Sequence, residues 1–218
     1  MKTIAIDGPS GSGKSTLAKL IAKELGIIYL DTGAMYRGMG YYALQNNIDP
    51  ADEKAVKKVL DDINMEIRYD NGEQYVIING KDVTPFIREN KISMAASTIS
   101  KIPSVRLKLV EMQREIAKTS ACVLDGRDIG SYVLPKAPYK FFLTASAEER
   151  AKRRFAELKE KKQDITYDEV YDDIIKRDKQ DSTRSFAPLV VAKDAIVIDT
   201  TNLNIEQTFN KVMEYLWK

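Results

Sequence analysis

Gly8-Pro-Ser-Gly-Ser-Gly-Lys-Ser15 is the segment whose chemistry is easiest to name: a glycine, four residues, then Gly-Lys-Ser. Glycines at this spacing let backbone N–H groups turn inward around phosphate oxygens. Lys14 has the reach for β- and γ-phosphates, and the Ser15 hydroxyl suits magnesium. The pattern is that of a P-loop. A second set of residues is made of arginines. Arg37 follows Asp31-Thr-Gly-Ala-Met-Tyr, and Arg127 stands inside Asp125-Gly-Arg-Asp128. Arg177 and Arg184 flank Asp181 at spacings of four and three, so on a helix all three would share a face. Guanidinium forks match phosphate oxygens bidentately. Transfer of a phosphoryl group between two anions needs their repulsion screened and the charge of the transition state stabilised.

The residues that are missing narrow the chemistry further. The 218-residue chain has no histidine, which removes histidine bases, histidine metal sites and Ser-His-Asp triads. Its one cysteine, Cys122, can form no internal disulfide, fits a reducing compartment, and reads as a small core hydrophobe. Lys plus Arg is 34 against 32 for Asp plus Glu, and that balance argues against a bulk polyanion partner. No apolar run approaches the ~20 residues that span a bilayer. Asp7 stands where a signal peptide would need apolar residues. A soluble, cytoplasmic protein is the expectation.

These residues need elements to position them. Lys2 to Asp7 reads as a buried strand running straight into the loop. The helix that follows would place Leu17, Leu20, Ile21 and Leu25 on one side and stop at Gly26. Further short apolar strands are expected at 27–30, 121–124, 140–143 and 195–198, separated by helices. Such alternation predicts a parallel sheet covered on both faces. The stretch from Met65 to Val83 breaks the rhythm. Alternating segments at 66–69 and 74–78, with turn signals at 70–73 and Asn79-Gly80, predict a small antiparallel insertion. Two helices follow, around 91–100 and 104–118. Pro103 suits the first turn of the second, and Val105, Leu109, Met112 and Ile116 form its apolar stripe. Lys159 to Lys162 reads as a solvated charge run.

A P-loop alone leaves the acceptor open. A guanine-reading Asn-Lys-x-Asp is absent, since Asn90-Lys91-Ile-Ser93 and Asn210-Lys211-Val-Met213 lack the aspartate. The carboxylates after the third strand are split by Arg127, unlike the acidic pair of a motor ATPase. A kinase is favoured. A phosphate monoester acceptor would need no general base, whereas an alcohol acceptor could use Asp31 or Asp128. A different nucleoside-monophosphate or small-metabolite kinase stays open as an alternative. So does a nucleic-acid-binding ATPase using the basic stretch 150–162.

Taken together, segments 6–15, 30–37, 125–130, Arg-Asp-x-x-Asp-Ser-x-Arg at 177–184 and Ala-Pro-Leu at 187–189 resemble the bacterial cytidylate kinases from Ile4 to the C-terminal helix. The resemblance implies an α/β P-loop kinase: a five-stranded parallel sheet flanked by helices, with a small antiparallel insertion in the monophosphate-binding region. It implies one domain over 1–218, with a core (about 1–31, 119–147 and 186–218), a monophosphate-binding region (about 32–118) and a lid (about 148–185). The implied reaction takes ATP with Mg2+ and CMP or dCMP to ADP and CDP or dCDP. The enzyme would act as a monomer, with no nucleic-acid or membrane partner.

The resemblance also assigns residues. Gly8, Pro9, Ser10, Gly11, Ser12, Gly13, Lys14, Ser15 and Thr16 would hold ATP, with Ser15 toward the metal. Lys14, Arg127 and Arg184 would carry catalysis. Thr32, Arg37, Arg127 and Arg184 would hold the acceptor phosphate. Ser97, Arg106 and Asp128 would read cytosine, whose amino group offers a donor to a carboxylate and whose ring offers acceptors to a guanidinium. Arg177 and Asp181 would hold the sugar. Among the lid candidates Arg150, Arg153 and Arg154, one or more would close over ATP.

Overall fold

The computed structural model of the protein describes residues 2–216, so Met1, Trp217 and Lys218, at the outer ends of the expected core, lie outside the described residues. The chain divides into two compact units. One comprises residues up to Ile27 and from Cys122 onward, and the other is Ile28–Ala121.

The five expected strands all form: β1 (Thr3–Asp7), β2 (Ile28–Asp31), β6 (Cys122–Gly126), β7 (Tyr139–Thr144) and β8 (Ile196–Asp199). Their order is β2-β6-β1-β7-β8. β1 pairs in parallel with β6 and β7, and β7 with β8. Ile4, Ala5 and Ile6 of the central strand are fully buried, which is why that segment reads as a continuous apolar run rather than an alternating one. Ligands of open α/β sheets bind beyond the carboxyl ends of such strands, and the loop at 8–13 leaves β1 at that end.

In the first unit, α1 (Lys14–Leu25) buries Leu17, Ala18, Ile21 and Ala22. Leu20, expected on that side, lies outside the stripe and is exposed. Gly26 ends the helix in the left-handed region, its N–H donating to the carbonyls of Ala22 and Lys23. A π-helical turn, Ile129–Val133, follows β6 and gave no periodic signal. Two further helices, α6 (Ala147–Glu160) and α7 (Tyr167–Thr183), share a small core of Ala151, Leu158, Val170 and Ile174. Thr166 and Glu169 close a reciprocal capping box at the start of α7. α8 spans Ile205–Leu216. Cys122 is fully buried, and that burial pushes its thiol up to about 11, as suits a core residue.

In the second unit, α2 (Thr32–Gln45) is capped by Asp31, whose carboxylate accepts the Ala34 N–H. A short helix, α3 (Glu53–Val59), buries only Val56, so no periodic stripe announced it. The insertion is antiparallel as expected: β3 (Met65–Asp70), β4 (Glu73–Ile78) and the two-residue β5 (Lys81–Asp82). Asn71 and Gly72 both have positive φ, as a tight hairpin turn demands. α4 (Asn90–Ile99) and α5 (Pro103–Thr119) complete the unit. The buried face of α5 holds Val105, Arg106, Leu109, Val110, Gln113 and Ala117. Met112 and Ile116, expected in the stripe, are only half-buried, because that face also takes in two polar side chains. Among the described residues, no helix is long and apolar enough to cross a membrane.

Candidate active site

The loop between β1 and α1 is shaped by steric necessity. At Gly8, φ is +147° and a Cβ would fall 2.0 Å from the Leu143 carbonyl oxygen. At Gly11, φ is +76° and a Cβ would fall 2.8 Å from the Arg150 carbonyl oxygen. No side chain fits either place. The carbonyls of the loop are tied back in turn. Lys14 Nζ donates to Pro9 at 2.6 Å, Arg150 Nη1 to Ser10 at 3.1 Å, Thr200 Oγ1 to Ser12 at 3.3 Å, and the Leu17 N–H to Gly13 at 3.0 Å. With its carbonyls engaged, the loop offers an anion its N–H groups, backed by the positive end of α1. Burial and then Arg127 push the buried Lys14 ammonium well below the usual lysine range, against the pull of Asp125 and Asp7. Ser15 and Thr16 stand on the exposed first turn of α1.

The first unit gathers four of the expected acceptor residues into one network. Arg127 Nε donates to Asp181 Oδ2 at 2.8 Å. Arg184 lies 3.4 Å from Asp128 Oδ1 and 3.7 Å from Asp181 Oδ1. Burial works to raise the Asp181 carboxyl, but Arg127, Arg177 and Arg184 hold it below the usual carboxylate range. Arg184 is the cap just past α7 rather than a helical residue, and its Nε donates to the Ala187 carbonyl at 2.7 Å. Ala187 has a φ of +47°, an unusual backbone state for alanine, in a segment also held by the Leu189 N–H donating to the Asp181 carbonyl. Asp128 is buried and precedes the π-helical turn. The N–H groups of Ile129 and Gly130 in that turn both donate to the Asp7 carboxylate at 2.7 Å.

The three lid candidates have different surroundings. Arg150 is buried: Nη1 and Nη2 reach the two Asp178 oxygens at 3.1 and 2.6 Å, and Nε donates to the Ala145 carbonyl. Arg153 reaches Glu149 and both the hydroxyl and carbonyl of Thr200. Arg154 pairs with Glu157. Asp178, next to Arg177 in the chain, is thus the partner of Arg150, one turn of α7 before Asp181.

The second unit holds the remaining candidates. Thr32 is buried at the start of α2. Arg37 Nη2 donates to Asp31 Oδ2 at 2.7 Å. Burial alone would raise the Asp31 carboxyl, but Arg37, the Ala34 N–H and Arg88 keep it below its ordinary value. Arg106 is fully buried, its guanidinium carbon 5.3 Å from the Tyr36 ring centroid and its Nη1 3.3 Å from the Ser100 carbonyl. Ser97 is buried on α4.

Sequence reading passed over Asp7, Asp125, Thr200 and Gln74. Asp125 had a signal: it directly follows the apolar run 121–124, inside what the structure shows as β6. Its Oδ2 accepts from Ser15 Oγ at 2.7 Å, which brings together two hard oxygen donors of the kind magnesium takes. The residues present therefore fit that ion. Among the described residues there is no cluster of three or more histidine, cysteine, aspartate or glutamate side chains that could hold a metal by protein ligands alone.

A loop built to hold phosphates, with half-buried arginines after β6 and at the end of α7, can hold a polyphosphate and stabilise charge in transit, and its parallel sheet is that of the P-loop kinases. Solved structures agree on the fold alone: a shikimate kinase from Bacteroides thetaiotaomicron (TM-score 0.50, 15% identity, covering 100% of this chain and 99% of that one) and a gluconokinase from Sinorhizobium meliloti (TM-score 0.51, 12% identity, 99% and 91%). Sequence is more specific. The model of the cytidylate kinase family matches residues 4–218, and the chain belongs to that family. Curated relatives include the cytidylate kinases of Caldicellulosiruptor bescii, 54% identical over 215 residues (99% of this chain, 95% of the relative), and of Thermosipho melanesiensis, 50% identical over 211 residues (97% and 94%).

Proposed function

We propose that the protein transfers the γ-phosphoryl group of ATP to CMP or dCMP, giving ADP and CDP or dCDP. The observation that carries this reading is family membership across almost the whole chain. A phosphate oxygen of the acceptor attacks the γ-phosphorus as the bond to the β,γ-bridging oxygen breaks, and the electron pair leaves with ADP. The acceptor oxygen is already ionised near neutral pH, so no base is required, in keeping with a chain without histidine.

Residues 8–16 hold the donor phosphates, with Lys14 on their outer oxygens. Ser15 and Asp125 would hold Mg2+, which when bound neutralises phosphate charge. Arg127 and Arg184 screen the two anions from each other and stabilise the charge in transit. Thr32 and Arg37 hold the acceptor phosphate with them. Ser97, Arg106 and Asp128 read cytosine, and Arg177 and Asp181 hold the sugar. Arg153 and Arg154 stay the lid arginines available to ATP, while the contacts of Arg150 fit a buttress behind the loop better. The division into core, monophosphate-binding region (about 32–118) and lid (about 148–185) belongs to the same reading, as do a monomeric state and a cytoplasmic location.

The deciding experiment measures ADP release from Mg-ATP with CMP, dCMP, UMP, AMP, GMP, dTMP and shikimate at equal concentrations. Turnover confined to CMP and dCMP, or clearly favouring them, is expected. Preference for another acceptor would keep the phosphate loop and overturn the base-reading residues. Folded protein with no acceptor-dependent turnover would overturn the kinase reading.

A further inference from the structure

β2 is an outer strand of its sheet, and an outer strand leaves backbone groups in need of partners. At Asp31, the last residue of β2, one side chain meets that need. The Asp31 N–H donates to Gln74 Oε1 at 2.7 Å, and Gln74 Nε2 donates to the Asp31 carbonyl at 3.2 Å. The primary amide acts as a one-residue substitute for a neighbouring strand.

Gln74 is delivered there by the hairpin. Asn71 and Gly72 set the turn, which fixes Asp70 opposite Glu73 and Tyr69 opposite Gln74. A slip of one residue would turn Gln74 to the other face.

The same Asp31 has a second task. Its carboxylate accepts the Ala34 N–H at 2.8 Å and Arg37 Nη2 at 2.7 Å. There is little slack around this pair. A Cβ on Gly33 would lie 3.0 Å from Arg37 Nη1 and 3.1 Å from Asp31 Oδ1. Asp31 thus links the Gln74 amide, through its backbone, to the Arg37 guanidinium, through its carboxylate.

We propose that Gln74 is a positioning residue for the acceptor: by clamping the Asp31 peptide it fixes the Asp31 carboxylate, and through that the aim of Arg37 at the acceptor phosphate. The insertion sheet thereby takes part in acceptor binding through one side chain. The proposal rests on the reading of Arg37 as an acceptor-phosphate ligand.

The test is steady-state kinetics on Gln74→Ala and Gln74→Glu, each in the native and in the Arg37→Ala background. Gln74→Glu keeps an acceptor for the Asp31 N–H and loses the donor, so it serves if Gln74→Ala does not fold. Both variants are expected to raise KM for CMP about tenfold, with kcat and KM for ATP within about twofold, because a misaimed ligand weakens one substrate only. In the Arg37→Ala background the Gln74 change is expected to add nothing. A merely structural role would lower the melting temperature and leave KM for CMP unmoved. That result, or additive effects in the double variant, overturns the proposal while leaving Arg37 in place. A native KM for CMP in Arg37→Ala overturns the reading of Arg37 and the proposal with it.

Discussion

Arg127 Nε donates to Asp181 Oδ2 at 2.8 Å, which joins the loop after β6 to the last turn of α7. The charges of Arg127, Arg177 and Arg184 all act upon Asp181. Its removal takes one shared counter-charge from three guanidinium groups. Asp181→Ala is expected to cost roughly 3 kcal/mol of unfolding free energy, the usual scale for breaking a buried pair on one side. It should also lower kcat/KM for CMP about a hundredfold. Urea unfolding and steady-state kinetics check the two parts separately. Native stability would show that the pair is solvated in solution.

Asp128 is buried beside Arg184, so its charge and its base-reading role can be separated by a neutral amide. Asp128→Asn is expected to slow turnover with every acceptor. It should also narrow the preference for CMP over UMP by about tenfold, because an amide donates as well as accepts. The ratio of kcat/KM values for the two acceptors is the measurement. An unchanged ratio in folded protein removes Asp128 from base reading.

Burial raises the Asp7 carboxyl from 3.8 to about 6, although the N–H groups of Gly130 and Ile129 pull it down. An acid whose folded pKa lies above its unfolded value favours folding when protonated. Between pH 4 and 6 the unfolded chain loses this proton first, so stability falls as pH rises through that window, by up to about 3 kcal/mol for this group. Asp7→Asn cannot titrate. The native-minus-variant difference in unfolding free energy should therefore fall from pH 4 to 6 and stay level above 7. A flat difference throughout would show that the two N–H donors hold Asp7 at its ordinary value.

Arg150 joins the Ser10 carbonyl of the phosphate loop to both oxygens of Asp178. A lysine is a single point donor and cannot span these partners. Arg150→Lys is expected to raise KM for ATP about fivefold to tenfold, with KM for CMP unchanged, through a loosened loop. A collapse of kcat at unchanged KM would instead assign Arg150 to the transition state.

Much of the fold, and the shape of the loop in the candidate site, could be read from residues because their determinants are local. The Gly-Lys-Ser loop, the turn at 71–72 and the five apolar strands follow from backbone sterics and short-range periodicity. The alternation of strands and helices was enough for a parallel sheet, and the break in that alternation for the insertion. Leu20, Met112 and Ile116 were misplaced for a related reason: periodicity finds an apolar stripe, but what faces a helix sets where its buried side is centred. On α5 that side also takes in Arg106 and Gln113.

Partner choice was decided only by the tertiary structure. Sequence could name Arg150, Arg153 and Arg154 as a basic run, but not that the first is buried against Asp178 while the last pairs with Glu157. Nor could it reveal that Asp7 receives the turn at 129–130, 122 positions away, or that Gln74 holds the peptide of Asp31, 43 positions away. A side chain's type limits what it can bond, while the meeting of strands and helices far apart in the chain decides which bond is made.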